Sequence, residues 1–266
     1  MSAITVLSMG WGVQSWTLAA MSALGELPRL DYVVHADTGH EAAKTYEHAA
    51  KWTPWLEERG IKVVTVQAPN TDVVIPGVTS ERQSMEIPAF SLNQTDNSRG
   101  QIRRQCTNRW KIQPVRKFLR TLGPARPGAF ALWMGISLDE WHRMKDSDVK
   151  YIRHVYPLVD GRITRSECVA WLEQHQLDIP ARSSCVFCPY ATKAEWHHRK
   201  QLGGADWDHA VEIDLAVRHQ RPGYELFVHS SRLPLAQAVS IPEDHGATQL
   251  TLTESEPSCD SGYCFS

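Results

Sequence analysis

Along the first half of the chain, short apolar runs alternate with longer stretches in which apolar residues recur every three or four positions. The runs Ile4–Met9, 30–35, Lys62–Gln67 and 129–136 have the length and β-branched content of buried strands. Between them, 15–24 and 41–59 carry the helical period, the second with Pro54 as an expected kink. A basic helix is expected over 108–122, where Ile112, Val115 and Leu119 turn inward and Arg109, Arg116 and Arg120 share another face. Regular alternation of strand and helix predicts a doubly wound α/β fold: a parallel sheet covered by helices, with ligands at the carboxyl ends of its strands.

The remainder is less periodic. Residues 69–100 hold many turn formers, which suits either a flap over a site or a wandering surface loop. From 156 a strand or turn leads into a helix started by Thr164 with Glu167 three residues on, a capping-box pattern. Residues 194–202 and 207–219 read as two more helices, so a small helical, cysteine-bearing C-terminal extension is expected, with 224–228 and the tail wrapping back. The division this predicts is 1–150 for the nucleotide-binding α/β domain and 151–266 for the extension.

Composition narrows the function classes. A chain of 266 residues, 42% hydrophobic, can bury one core and carry a smaller appendage. Its formal charge of -2 gives no overall attraction to nucleic acid or anionic membranes, so any polyanion contact has to be local. No apolar run approaches membrane-spanning length, and residues 1–6 lack the basic start and long apolar core of a signal peptide. The expectation is a cytoplasmic protein without membrane contact. In a reducing compartment its six cysteines suit metal or redox chemistry better than structural disulfides.

Three groups of residues carry candidate chemistry. After the first strand comes Ser8-Met9-Gly10-Trp11-Gly12-Val13-Gln14-Ser15, whose glycines let backbone N–H groups approach a phosphate at the start of a helix; many tight turns share that pattern. Trp11 within it can stack on adenine or close the core beneath the turn. After the second strand, Asp37-Thr38-Gly39 with Glu41 and Tyr46 is placed for ribose, an adenine edge or magnesium, and equally for capping the next helix. The run Arg99, Arg103, Arg104, Arg109, Lys111, Arg116, Lys117, Arg120 contains no acidic residue. It suits a nucleotide, a nucleic-acid or base acceptor, or a solvated helix face, and it would lower the pKa of Cys106 inside it.

Cys185-x-x-Cys188-Pro189 is the strongest ligand pair, since thiolates at this spacing grip one soft metal from adjacent turns. Cys168 is either a further ligand or a buried small apolar residue. Cys259 and Cys264 in the tail can supply a ligand or a redox-active thiol pair.

In order along the chain, the glycine loop, Asp37-Thr38-Gly39 with Tyr46, Cys106-Thr107 running to Lys111-Ile112-Gln113-Pro114, Gly135-Ile136-Ser137 with Glu140, Tyr156-Pro157-Leu158 and Cys185-x-x-Cys188-Pro189 resemble the phosphoadenosine phosphosulfate reductase family of the adenine nucleotide alpha-hydrolase superfamily. The resemblance covers about residues 4–190. It implies an adenine nucleotide, ATP or an adenylyl sulfate, held by Ser8, Gly10, Gly12, Gln14, Ser15, Asp37, Thr38, Gly39, Arg104 and Gly135, with magnesium as an accompanying ion. It implies a [4Fe-4S] cluster, with zinc as the alternative, on Cys106, Cys185 and Cys188, with Cys168, Cys259 or Cys264 open as the fourth ligand, and it assigns sulfur or electron carriage to Cys259 and Cys264. Three positions depart from the family. Val13 stands where a Lys is often found, Gln14 where an Asp is usual, and Ser137 where an Arg is common, which weakens both ATP cleavage and sulfate recognition. The expected function is adenine-nucleotide-dependent sulfur transfer or thio-modification, served by a sulfur-donor protein. The rivals are reduction of an adenylyl sulfate and a nucleotide-binding module without turnover.

Overall fold

The computed structural model describes residues 3–74 and 85–239. Eight strands occur among them: β1 Ile4–Met9, β2 Tyr32–Asp37, β3 Lys62–Gln67, β4 Ala89–Asn93, β5 Arg99–Ile102, β6 Phe130–Met134, β7 Ile152–Val155 and β8 Tyr224–Phe227. The chain divides into two compact units, one of residues up to Pro69 with Thr107–Ser184, the other of Asn70–Cys106 with the described residues from Cys185 on.

In the first unit β3-β2-β1-β6-β7 form a parallel sheet. Side chains alternate faces along a strand, and the strands obey this. Leu7, Val33 and Trp133 pack on one face with Trp16 and Leu18 of helix α1 (Val13–Leu24) and Trp52 and Leu56 of α2 (Ala43–Glu58). Val6, Val34 and Leu132 pack on the other with Val115 and Leu119 of α3 (Gln113–Leu122). Both faces of the central strands are therefore covered, which explains their nearly continuous apolar sequence. Two further helices, α4 (Pro157–Asp160) and α5 (Arg165–Gln174), complete the unit; Cys168 and Leu172 of α5 join the α1 face. The predicted capping box is present, with Thr164 accepting from the Glu167 N–H and Glu167 reaching back. Pro54 lies within α2, and the turn before α3, Thr107–Ile112, is a π-helix.

The second unit holds the antiparallel sheet β5-β4-β8 and helices α6 (Lys193–Leu202), α7 (Gly204–Val217) and α8 (Leu235–Ala238). Its buried organiser is Asp214 of α7, whose carboxylate accepts the Val228 and Leu235 N–H groups at 3.0 Å each and pairs with Arg218.

Two expectations are corrected. The structureless reading of 69–100 misses β4 and β5, a hairpin turned at Asn97, whose φ is +55°; both strands are short, and β5 is polar and glycine-bearing, so the alternating pattern is faint. Residues 75–84, central to the flap reading, lie outside the described residues. The division at 150 is also displaced. β7 pairs with β6 and α5 packs against α1, so the chain up to Ser184 belongs with the parallel sheet, while 70–106 joins the later residues.

Candidate functional site

Because the sheet is parallel, the segments following β1, β2 and β6 emerge at one edge. From β1 the chain crosses to β2 on one side, and β6 lies on the other, so the carboxyl ends of β1 and β6 form the topological switch point where such folds bind ligands. There, α1 begins after Gly12 with no side-chain cap and no acidic residue in its first turn. Unfilled N–H groups and the positive helix end favour an anion at that place.

The loop is tightly built. The Gly10 N–H donates to Ser15 Oγ at 3.3 Å, Ser15 Oγ donates to the Gly12 carbonyl, and Ser183 Oγ donates to the Gly10 carbonyl. Ser8 is buried within β1, paired with Val34 and Met134. A Cβ on Gly135 would lie 2.9 Å from the Ser15 backbone nitrogen, so only glycine lets the segment after β6 close against the start of α1. Trp11 adopts φ +60° and is 1% exposed, packed against Trp16, His35 and His48. Of its two sequence readings, the core-closing one matches this placement.

Gln14 is fully buried and its amide is engaged at both ends. Nε2 donates to Glu140 Oε2 at 3.0 Å and to Ser137 Oγ at 3.4 Å, while Oε1 accepts from Arg165 Nη1 at 2.6 Å. Arg143 pairs with the other oxygen of Glu140 at 2.7 Å. Two of the departures from the resembling family, Gln14 and Ser137, therefore touch one another, and Arg143 is buried against Glu140. Arg165 lies 151 positions from Gln14, a separation that leaves no local sequence signal of their contact.

After β2, Asp37 accepts from the Gly39 N–H and the Tyr46 hydroxyl, both at 2.8 Å, and Gly39 has φ +73°. Burial, then Asp37, raises the Tyr46 pKa. Thr38 donates to Glu41, whose carboxylate faces Lys111 of the π-helix at 3.6 Å. Burial lowers the His35 pKa, against a smaller opposing effect of Glu41. A cavity of about 560 Å³ opens at the opposite, amino-terminal edge between Ile4, Leu122 and Phe130, and no predicted site residue lines it.

The thiols divide. Cys168 is fully buried in the first unit's core, and burial pushes its pKa up to about 12. In the second unit, the Cys188 N–H closes a turn onto the Cys185 carbonyl at 3.0 Å, and the Cys106 N–H donates to the Glu86 carbonyl at 2.8 Å. The Arg104 guanidinium lies 5.4 Å from the Tyr190 ring centre. Burial raises the Tyr190 pKa, Arg104 opposes this, and Cys188 and Cys106 add to it, so these four share one neighbourhood. Among the described residues, no three His, Cys, Asp or Glu side chains gather closely enough to hold a metal ion. Cys259 and Cys264 lie outside the described residues. The basic run is not a single free surface either: Lys111 is buried against Glu41, and Arg116 pairs with Asp148. No helix among the described residues is long and apolar enough to cross a membrane.

This strand order and switch point define a mixed α/β protein of the doubly wound, Rossmann type. No protein family and no curated protein matches the chain. Among solved structures it is similar to the phosphate complex of phosphoadenylyl-sulfate (PAPS) reductase from Candida auris, at 13% identity and a TM-score of 0.42 over 66% of this chain and 75% of that one.

Proposed function

We propose that the chain binds an adenine nucleotide at the carboxyl edge of its parallel sheet and uses it for sulfur transfer or thio-modification. The observation that supports this best is the uncapped start of α1 at the switch point between β1 and β6. In such a reaction an acceptor oxygen attacks the α-phosphorus of ATP and expels pyrophosphate. A sulfur nucleophile then displaces AMP from the acceptor. A nucleic acid or base is the acceptor class proposed, with the basic segment 99–120 as its contact, and a sulfur-donor protein as supplier.

For the cluster, the donor chemistry of the second unit fits a soft metal while the count among described residues falls short. The proposed ligands are Cys106, Cys185 and Cys188 with one tail thiol, Cys259 or Cys264, for a [4Fe-4S] centre or zinc. Cys168 leaves the proposed set because its sealed, high-pKa thiol cannot readily supply a thiolate. The group would supply structural anchoring or electron storage for the tail thiols.

A second reading is favoured by Gln14: with its amide engaged inside the protein and no charge at the position, it offers magnesium nothing, which suits a nucleotide-binding module without turnover. Anaerobically purified protein incubated with ATP and, separately, with adenylyl sulfates separates the readings. Pyrophosphate release dependent on acceptor supports the proposal; sulfite without pyrophosphate rejects it in favour of reduction; tight binding with neither product leaves the binding module.

A further inference from the structure

We infer that Trp11 is the positioning residue of the nucleotide site proposed above: it staples the glycine loop to α1, β2 and α2, and so fixes the start of α1 relative to Asp37-Thr38-Gly39. The inference rests on that nucleotide reading and deepens it.

α1 starts at Gly12, an N-cap with no side chain to accept from the first N–H groups, so the entry of the chain into the helix has to be fixed in another way. In a hydrophobic staple, an apolar residue just before the cap packs on the fourth helical residue and sets that entry angle. Trp11 and Trp16 hold those two places, with ring centres 6.2 Å apart. Because the staple works by ring packing, it directs the helix without occupying its first N–H groups.

The Trp11 ring reaches further than a staple requires. It meets His35 at 6.5 Å and His48 of α2 at 5.9 Å between ring centres. His35 belongs to β2, where it pairs with Met9 and its Nδ1 lies 3.1 Å from the Met9 carbonyl oxygen, and Asp37 ends that same strand. One side chain therefore joins the loop after β1 to the strand that delivers the segment after β2.

The backbone maintains this join against a local cost. Trp11 has φ +60°, a conformation natural to glycine, and a residue with a Cβ persists there only where its surroundings over-determine it. Glycine at this position would relieve the strain, but it would also release the loop from β2 and α2. Strain and three ring contacts on three elements together mark a residue whose role is to hold the loop in place.

The test is calorimetric titration of ATP, adenosine and inorganic tripolyphosphate into the full chain and into Trp11→Gly, Trp11→Phe and Leu56→Ala. ATP spans both loops and each fragment needs only one, so misplacing the loops relative to each other weakens only the linked ligand. Trp11→Gly is expected to weaken ATP binding about tenfold or more while each fragment stays within about twofold. Trp11→Phe keeps an aromatic ring at the position and recovers most of the loss. Leu56→Ala truncates a fully buried residue of the same core near the far end of α2; it lowers the unfolding midpoint, as Trp11→Gly does, and leaves ATP within about twofold. Unchanged ATP affinity in Trp11→Gly overturns the inference. Equal losses for ATP and both fragments, or a loss in Leu56→Ala as large as in Trp11→Gly, also overturn it, by making Trp11 structural. If the wild-type chain binds no adenine nucleotide, the parent reading fails instead, and the inference falls with it.

Discussion

Lys111 Nζ stands 3.6 Å from Glu41 Oε1, with side chains 8% and 1% exposed. A buried ion pair contributes little beyond a well-packed apolar pair, but removing one partner leaves a charge in a dry place. Glu41→Leu is therefore expected to destabilise by about 3–5 kcal/mol, and the double variant Glu41→Leu/Lys111→Met to recover most of that. Urea unfolding of the two single variants and the double variant measures the coupling. Additive losses would show that the two groups do not interact.

Trp11 combines two opposing contributions. Its φ of +60° costs about 1–2 kcal/mol for a residue with a Cβ, while its indole fills the space between Trp16, His35 and His48. Trp11→Ala keeps the strain and loses the packing, about 3–5 kcal/mol. Trp11→Gly loses the same packing and relieves the strain, so the smaller residue is expected to be the less damaging by about 1 kcal/mol. An alanine variant as stable as the glycine one would remove the strain argument.

Cys168 should behave as a core residue. With its thiol pushed up to about 12 and no exposed surface, it resists iodoacetamide in the native protein at pH 8 and reacts once urea unfolds the chain. Cys168→Ala is expected to leave iron, sulfide and zinc content at the wild-type level, whereas Cys185→Ala and Cys188→Ala lower it. A drop in metal content with Cys168→Ala alone would return Cys168 to the ligand set.

The parallel sheet was legible because β1, β2, β3 and β6 are strong period-independent apolar runs separated by helical spacing, and the loops after β1, β2 and β6 follow from that order. The hairpin of β4 and β5 was not, since Arg99–Ile102 reads Arg-Gly-Gln-Ile and buries little. Candidate residues near one another in sequence, such as Asp37, Gly39 and Tyr46, lie together after β2. The contact of Gln14 with Ser137, Glu140 and Arg165 was invisible, because no local pattern tells which of many polar residues will meet across the end of a sheet.

His48 is expected to give the chain a defined acid sensitivity. Its ring is packed among Trp11, Trp16 and Trp52 beside a cleft of about 430 Å³ bordered by Lys44, Glu47, Lys51 and Asp178. Burial lowers its pKa from 6.5 to about 4, with Asp178 raising it and Lys51 lowering it further. Between those two values the unfolded chain binds a proton that the folded chain refuses, so stability falls as pH drops through this window and the loss is complete below about 4. The full effect is about 3 kcal/mol. His48→Phe keeps an aromatic ring and removes the proton. Urea midpoints for wild type and variant should therefore differ by a constant amount above pH 7, with the variant gaining steadily between pH 6.5 and 4. His35, also lowered by burial, titrates in both proteins and cancels in the difference. A difference that stays flat down to pH 4 would show that the His48 imidazole is protonated in the folded chain at its ordinary pH.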